Sequence, residues 1–266
     1  MSYLTESKIL FDKSDRIAHI TLNDPKSFNA LNVSILSEIY SALEDCEKDE
    51  SIRSIILSGA GKMFSSGGNV KEFKGAVESG TAPKLISNIS EILHKCVLKI
   101  LNIPKAVICK LHGGAYGAGL NLALSSDIII ASDSSVLDQA FVNVGLSVDA
   151  GGTYLVPRLV GTHLAKEFFW LGQISAIKAE EWGIINQAVP EKELDKVVLE
   201  IAKKLANAPP LNIKNVKKLV NQTFLRSPEE QLMHERKIQI EVAGSKDFKE
   251  GVIAFFEKRK PEYTGK

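Results

Sequence analysis

Apolar and polar residues alternate along Arg16-Ile17-Ala18-His19-Ile20-Thr21-Leu22, the period of a strand with one face in a core. Asp24-Pro25-Lys26 breaks the run. After Asn32 the period lengthens. Ile35, Leu36, Ile39 and Leu43 recur at three- and four-residue steps, which predicts an amphipathic helix with Asn32 as its cap. A strand is predicted over 52–57, followed by a helix carrying Val70 and Phe73. Pro83 opens a longer helix with Leu85, Ile89, Ile92, Leu93 and Val97 on one side, and Ile103-Pro104 ends it. Ala106 to Leu111 and Asp127 to Ala131 are continuous apolar runs that read as buried strands, with a short helix over 120–124 between them. Strands and helices thus alternate in an α/β pattern. Beyond about Ser175 the chain is helical and amphipathic, Pro209-Pro210 reads as a joint, and the last helices are expected over 212–224, 228–243 and 247–258. Helices appended to an α/β core often pack on another subunit, so an oligomer is expected.

Composition narrows the class. The 266 residues are 44% hydrophobic and 24% charged, enough apolar material for a sizeable core. A formal net charge of +1 gives no electrostatic case for nucleic acid or an anionic membrane. Cys46, Cys96 and Cys109 form no CxxC pair and sit in apolar or helical surroundings, so buried thiols in a reducing compartment are expected, without disulfide or metal. The histidines His19, His94, His112, His163 and His234 lack ligand spacing. Met1-Ser2-Tyr3-Leu4-Thr5-Glu6 has no basic n-region or long apolar stretch, and the expectation is a soluble cytoplasmic protein with no membrane span. Glu44-Asp45 and the lysines of 214–218 read as solvated helix faces, and Asp127 as a turn residue.

Candidate chemistry centres on two glycine turns, Phe64-Ser65-Ser66-Gly67-Gly68-Asn69 and His112-Gly113-Gly114-Ala115-Tyr116-Gly117-Ala118-Gly119, each after a strand-like run. Such turns offer bare backbone N–H groups that can cradle a phosphate or a developing oxyanion, or they allow packing too close for a Cβ. The spacing does not match a nucleotide-binding GxGxxG. The other candidate is Asp149, between an apolar run and Gly151-Gly152. It is either a carboxylate held in a poorly solvated pocket, suited to moving protons, or the cap of a helix starting near Gly151.

Taken together, the chain resembles the crotonase (enoyl-CoA hydratase/isomerase) superfamily. The matching pieces run in the family's order: Pro25-Lys26-Ser27-Phe28-Asn29-Ala30-Leu31-Asn32, the first glycine turn, Pro104-Lys105-Ala106-Val107, the second glycine turn with Asp127-Ile128, Gly151-Gly152-Thr153 with Pro157-Arg158-Leu159, and Glu250-Gly251-Val252 with Phe255-Phe256-Glu257-Lys258-Arg259. The resemblance implies an α/β fold with a crotonase-like core of repeated ββα units over residues 1–200 and a helical trimerisation region over 201–266. It implies an acyl-CoA substrate, no separate cofactor and no metal, and self-association as a homotrimer or a dimer of trimers. By position, the Gly68 and Ala118 N–H groups would form the oxyanion hole. Ser66 and Gly67 would neighbour the CoA adenine, and Lys26 and Lys258 would contact its phosphates.

The departures from the family pattern are informative. Hydratases of the family carry two glutamates at positions that here hold Asn121 and Phe141. The resemblance then assigns Asn121 and Phe141 to the acyl pocket and Asp149 to catalysis, as in the ring-1,2-epoxyphenylacetyl-CoA isomerase and 4-chlorobenzoyl-CoA dehalogenase branches, with the isomerase branch the nearer likeness. Asn69 replaces the usual aspartate after the first turn, a structural change. The expected activity is acyl-CoA isomerisation, a double-bond shift or a ring-epoxide to oxepin rearrangement. The alternatives are a hydratase, hydrolase or dehalogenase-like member, or a non-catalytic acyl-CoA or RNA binder. A Clp-like protease needs a nucleophilic serine in the second turn, and Tyr116-Gly117-Ala118 has none.

Overall fold

The computed structural model describes residues 7–266, and the N-terminal hexapeptide on which the leader expectation rests lies outside them. A hairpin of β1 (Ile9–Ser14) and β2 (Ile17–Leu22) leads to α1 (Val33–Lys48), whose Asn32 cap accepts from Ile35 N–H at 3.1 Å. Next come β3 (Ser54–Gly59), α2 (Val70–Glu78), α3 (Ala82–Asn102), β4 (Ala106–Leu111), β5 (Gly114–Tyr116), α4 (Gly117–Leu124), β6 (Ile128–Ser132) and β7 (Val136–Asp138). The chain continues through α5 (Gly152–Leu171), β8 (Ile174–Ser175), α6 (Ala176–Glu181), β9 (Gln187–Val189) and α7 (Glu191–Ala206). It closes with α8 (Pro210–Gln222), α9 (Pro228–Ala243) and α10 (Lys246–Glu257).

The main sheet has the order β1-β2-β3-β4-β6-β9, parallel except for the β1–β2 hairpin. Register sorts its side chains by the two-residue period. Ile17, Ile56, Ile108 and Ile130 line one face and meet Leu194, Val198, Ala202 and Ala206 of α7. Ala18, Ile20, Ile55, Leu57, Val107 and Cys109 line the other and join α1 and α3 in the larger core. A small sheet of order β5-β7-β8 carries the second glycine turn.

The division expected at residue 200 falls inside α7, which stays on the sheet through Ala206, so the chain leaves that layer only at Pro209. One polar expectation needs correction. Lys217 is not on a solvated face: its side chain is 7% exposed, and Nζ donates to Asp127 Oδ2 at 2.7 Å and to the Ile100 carbonyl at 2.7 Å. Asp127, in the bend before β6, keeps 26% of its side chain exposed, and its pairing with this buried lysine ties α8 to the sheet. The three cysteines are free and buried, and burial pushes the Cys46 thiol up to about 11 and the Cys96 thiol to about 12.

Candidate active site

Backbone hydrogen bonds join the two glycine turns. Phe64 N–H donates to the His112 carbonyl at 3.0 Å, Ser65 N–H to Gly114 at 3.3 Å, and Tyr116 N–H returns to Ser65 at 3.0 Å. The approach is too close for side chains. A Cβ on Gly67, whose φ is +82°, would lie 2.6 Å from the Tyr116 carbonyl oxygen, and one on Gly119 would lie 2.4 Å from Ser65 Oγ. Glycine is thus required at both positions. Asn29, fully buried, steadies the first turn from below, donating to the carbonyls of Ala60, Met63 and Phe64.

Within this frame, Gly68 N–H and Ala118 N–H have no acceptor among the described residues. Ala118 is the second residue of α4, so its N–H is one of the donors that a helix leaves unpaired at its positive end. The site reserved by the missing Cβ of Gly67 lies 3.7 Å from Ala118 N, so the second turn abuts the first at the residue before Gly68. Asn69 fills a structural role, accepting from Lys71 and Glu72 N–H as the cap of α2.

Asp149 enters the same space from the loop before α5. Ala150 at φ +51° and Gly151 at φ +79° are successive left-handed residues that turn the chain sharply behind it. The helix-cap reading of Asp149 is not what the structure adopts: Gly151 is the cap position of α5, without a side-chain cap. The carboxylate instead accepts from Ser90 Oγ of α3 at 3.2 Å through Oδ2, while Oδ1 is buried with no partner among the described residues. Burial raises its pKa above the usual carboxylate range, and this outweighs the lowering by the Ser90 hydrogen bond and the nearby His94.

A cavity of about 320 Å³ connects these groups. Ser66, Gly67, Gly68 and Ala118 border it on one side, and Asp149 with Ser90 on another. Its walls are apolar, with Leu31, Ile89, Leu93 and Phe141 at its buried end and Val144 and Leu146 at its exposed rim. Among the described residues, Asp149 is the only ionisable side chain along it.

The structure therefore brings together Gly68, Ala118, Asp149, Ser66, Gly67 and Phe141. Asn121, expected in the acyl pocket, does not line the cavity. It is fully buried, its amide is spent on the Asp149 carbonyl at 2.9 Å, and its Oδ1 accepts from Gln139 Nε2 at 3.0 Å. Lys26 also lies off the cavity, yet its turn is bonded to the first glycine turn: Ser66 N–H donates to Phe28 and Ser66 Oγ to the Ser27 carbonyl. Lys258 is exposed at the end of α10 and does not reach the cavity within this chain. Sequence reasoning missed Ser90 and Gln139. The available signal for Ser90 was a hydroxyl in register with the apolar Ile86, Ile89 and Leu93. Among the described residues no cluster of His, Cys, Asp and Glu is arranged to hold a metal, and no helix is long and apolar enough to cross a membrane.

Known proteins share the sequence pattern and the fold. The enoyl-CoA hydratase/isomerase family profile matches residues 12–266. The chain is 34% identical to the trans-2-decenoyl-[acyl-carrier-protein] isomerase of Streptococcus mutans over 97% of this chain and 98% of that one. It is 36% identical to the 1,2-epoxyphenylacetyl-CoA isomerase of Escherichia coli over 93% and 94% of the two chains. Among solved structures, an enoyl-CoA hydratase from Polaromonas superposes with a TM-score of 0.91 at 30% identity, covering 96% of this chain and 99% of that one. A relative of such identity along nearly the whole length, a shared fold and a matching profile lead to one conclusion: the chain belongs to the crotonase superfamily of enoyl-CoA hydratases and isomerases, and it is an enzyme of that family.

Proposed function

We propose that this enzyme is an acyl-CoA thioester isomerase that moves a proton between two carbons of its acyl group. The observation that carries the reading is the pairing of one carboxylate, Asp149, with the bare Gly68 and Ala118 N–H groups on a single apolar cavity. The two N–H groups would hold the thioester oxygen. Charge develops on that oxygen as an enolate forms, and fixed donors at a helix N-terminus stabilise it without reorganising. Asp149 would take a proton from one carbon and return it to another, giving a double-bond shift or the rearrangement of a ring epoxide to an oxepin. A raised carboxyl pKa suits a group that must both accept and release a proton near neutrality. Hydration asks for a second group to activate water, and the two positions where family hydratases carry glutamate are here a sequestered amide, Asn121, and an apolar ring, Phe141.

The CoA moiety would pass the first glycine turn at Ser66 and Gly67, with Lys26 on the adjoining turn and Lys258 as phosphate contacts. Phe224, Leu225, Met233, Phe255 and Phe256 are each at least 66% exposed on the C-terminal helices, and we assign them to self-association as a homotrimer or a dimer of trimers in the cytoplasm. Light scattering of the purified protein tests the assembly.

The deciding assay is turnover of 3-decenoyl-CoA to its conjugated 2-enoyl isomer, followed by thioester absorbance, for wild type and Asp149→Asn. A loss of about 10²-fold or more with CoA-ester binding intact is expected, the scale of general acid–base catalysis. Equal turnover removes Asp149 from the mechanism, and hydration of 2-decenoyl-CoA faster than isomerisation favours the hydratase reading. The same pair of assays on the acyl-carrier-protein thioester, the substrate type named for the Streptococcus mutans relative, decides the carrier.

A further inference from the structure

Ser90 sits inside α3 on its apolar side, with Ile86, Ile89 and Leu93 at helical spacing. A serine in a helix interior commonly turns its hydroxyl back to the carbonyl four residues earlier. Ser37 of α1 does this, donating to Val33 at 2.7 Å. Ser90 does not. Its one proton goes across the cavity wall to Asp149 Oδ2 at 3.2 Å. The two carboxylate oxygens are thereby made unequal, because Oδ1 is buried with no partner among the described residues.

The backbone of Asp149 is fixed independently. Its carbonyl accepts from Asn121 Nδ2 at 2.9 Å and from Gly152 N–H at 3.0 Å. Those bonds hold the residue's main chain but leave the side-chain torsions free to turn. Ser90 supplies the remaining restraint. The titratable groups near the carboxylate are few: His94 lies one turn further along α3, and among the described residues none besides Asp149 lines the cavity.

We propose that Ser90 is the positioning residue of the proton carrier: its hydroxyl holds Oδ2 of Asp149 and so fixes the orientation of the carboxylate that takes and returns the substrate proton. The inference rests on the isomerase reading. In the forward half-reaction a C–H bond breaks, a carboxyl O–H bond forms, and the C–H electron pair moves into the enolate held by the Gly68 and Ala118 N–H groups. In the second half that O–H bond breaks and a C–H bond forms at the other carbon. No electron leaves the acyl group and no co-reactant is consumed.

The test is a carboxyl-carbon NMR titration of aspartate-labelled protein, with the Asp149 signal identified by its absence in Asp149→Asn. Ser90→Ala keeps a good helix former in α3. It removes a donor that favours the charged carboxylate, so the Asp149 midpoint moves to higher pH by about one unit. Ser90→Thr retains the hydroxyl and restores the wild-type midpoint. In the isomerase assay the acidic limb of kcat/KM follows the same order, and Ser90→Ala loses about tenfold in kcat with KM little changed. A purely structural serine would leave the midpoint and the acidic limb in place. An unchanged midpoint in Ser90→Ala overturns the assignment while leaving the isomerase reading standing. Undiminished isomerase turnover in Asp149→Asn removes Asp149 from the mechanism and the role given to Ser90 with it, and absence of isomerase turnover in the wild type overturns the isomerase reading, whatever the titration shows.

Discussion

Asn121 of α4 donates its side-chain amide to the backbone carbonyl of Asp149 at 2.9 Å. The bond links the helix that presents the Ala118 N–H to the loop that presents the carboxylate, and Gln139 holds the amide from behind. A residue type that could do acid–base work is absent at 121, and the residue present sets the spacing of two groups that could. Asn121→Asp keeps the shape and removes the donor, setting an acceptor against the Asp149 carbonyl. Isomerase kcat is expected to fall about 10–100-fold, with the CoA-ester dissociation constant within a few-fold of wild type. Steady-state kinetics beside calorimetric titration checks it, and unchanged kcat would deny the coupling.

Asp149 is expected to reduce stability at the pH at which it works. Burial holds its carboxyl pKa above the unfolded value of about 3.9. A folded-state pKa raised in this way favours folding below the unfolded value and opposes it increasingly as pH rises through the folded one. Asp149→Asn should therefore melt higher than wild type at pH 7, by about 2–4 °C for each kcal/mol relieved. The advantage should vanish below about pH 4. Melting curves of both proteins across that range test the sign.

The glycines of the first turn and of α2 predict opposite outcomes for one substitution. Gly67→Ala places a methyl 2.6 Å from a backbone oxygen at φ +82°, so the two turns must separate. Turnover should fall by about 10²–10³, the effect of losing an oxyanion donor. Gly75 in α2 has nothing within 4 Å of a new Cβ and an ordinary helical backbone, so Gly75→Ala should stabilise by about 0.5–1 kcal/mol with activity unchanged. Activity assays and urea unfolding distinguish the two.

The Lys217–Asp127 pair joins a buried amine to a partly exposed carboxylate. Burial lifts the Asp127 carboxyl and lowers the Lys217 amine, so each charged form depends on the other. Lys217→Met removes the charge-assisted hydrogen bond and leaves Asp127 to the Val107 N–H at 2.8 Å and to water. A loss of about 1–3 kcal/mol is expected, and Asp127→Asn in the same chain should return part of it. Urea midpoints of the single and double variants form the test.

Much of the scaffold was legible in the chain because side-chain period reports which face of an element is buried. The alternation at 17–22 placed β2 within a residue, and the helical spacing from Ile35 to Leu43 placed the start of α1, which runs on to Lys48. β1 carried no such signal, since only Ile9 of its six residues is buried. The glycine turns were legible for a related reason: bare backbone at strand ends is a local property. The chemical surroundings of a polar side chain are not local. Lys217 looked like its exposed neighbours, yet α8 lays it against Asp127, and only packing distinguishes them.

Asp149 divides the two kinds of information most sharply. Its neighbours in sequence left it a helix cap or a buried carboxylate, and both are physically sound for that string of residues. The choice was made by Ser90, 59 positions away, and by the Asn121 amide, 28 away. By itself the sequence determined the longer helices and the central strands, the close-approach glycines, the family and the lack of glutamate at two family positions. The tertiary structure alone decided which carboxylate loses its water, which hydroxyl meets it, and that Asn121 supports the site without lining it, because desolvation and hydrogen-bond geometry arise only where distant segments meet.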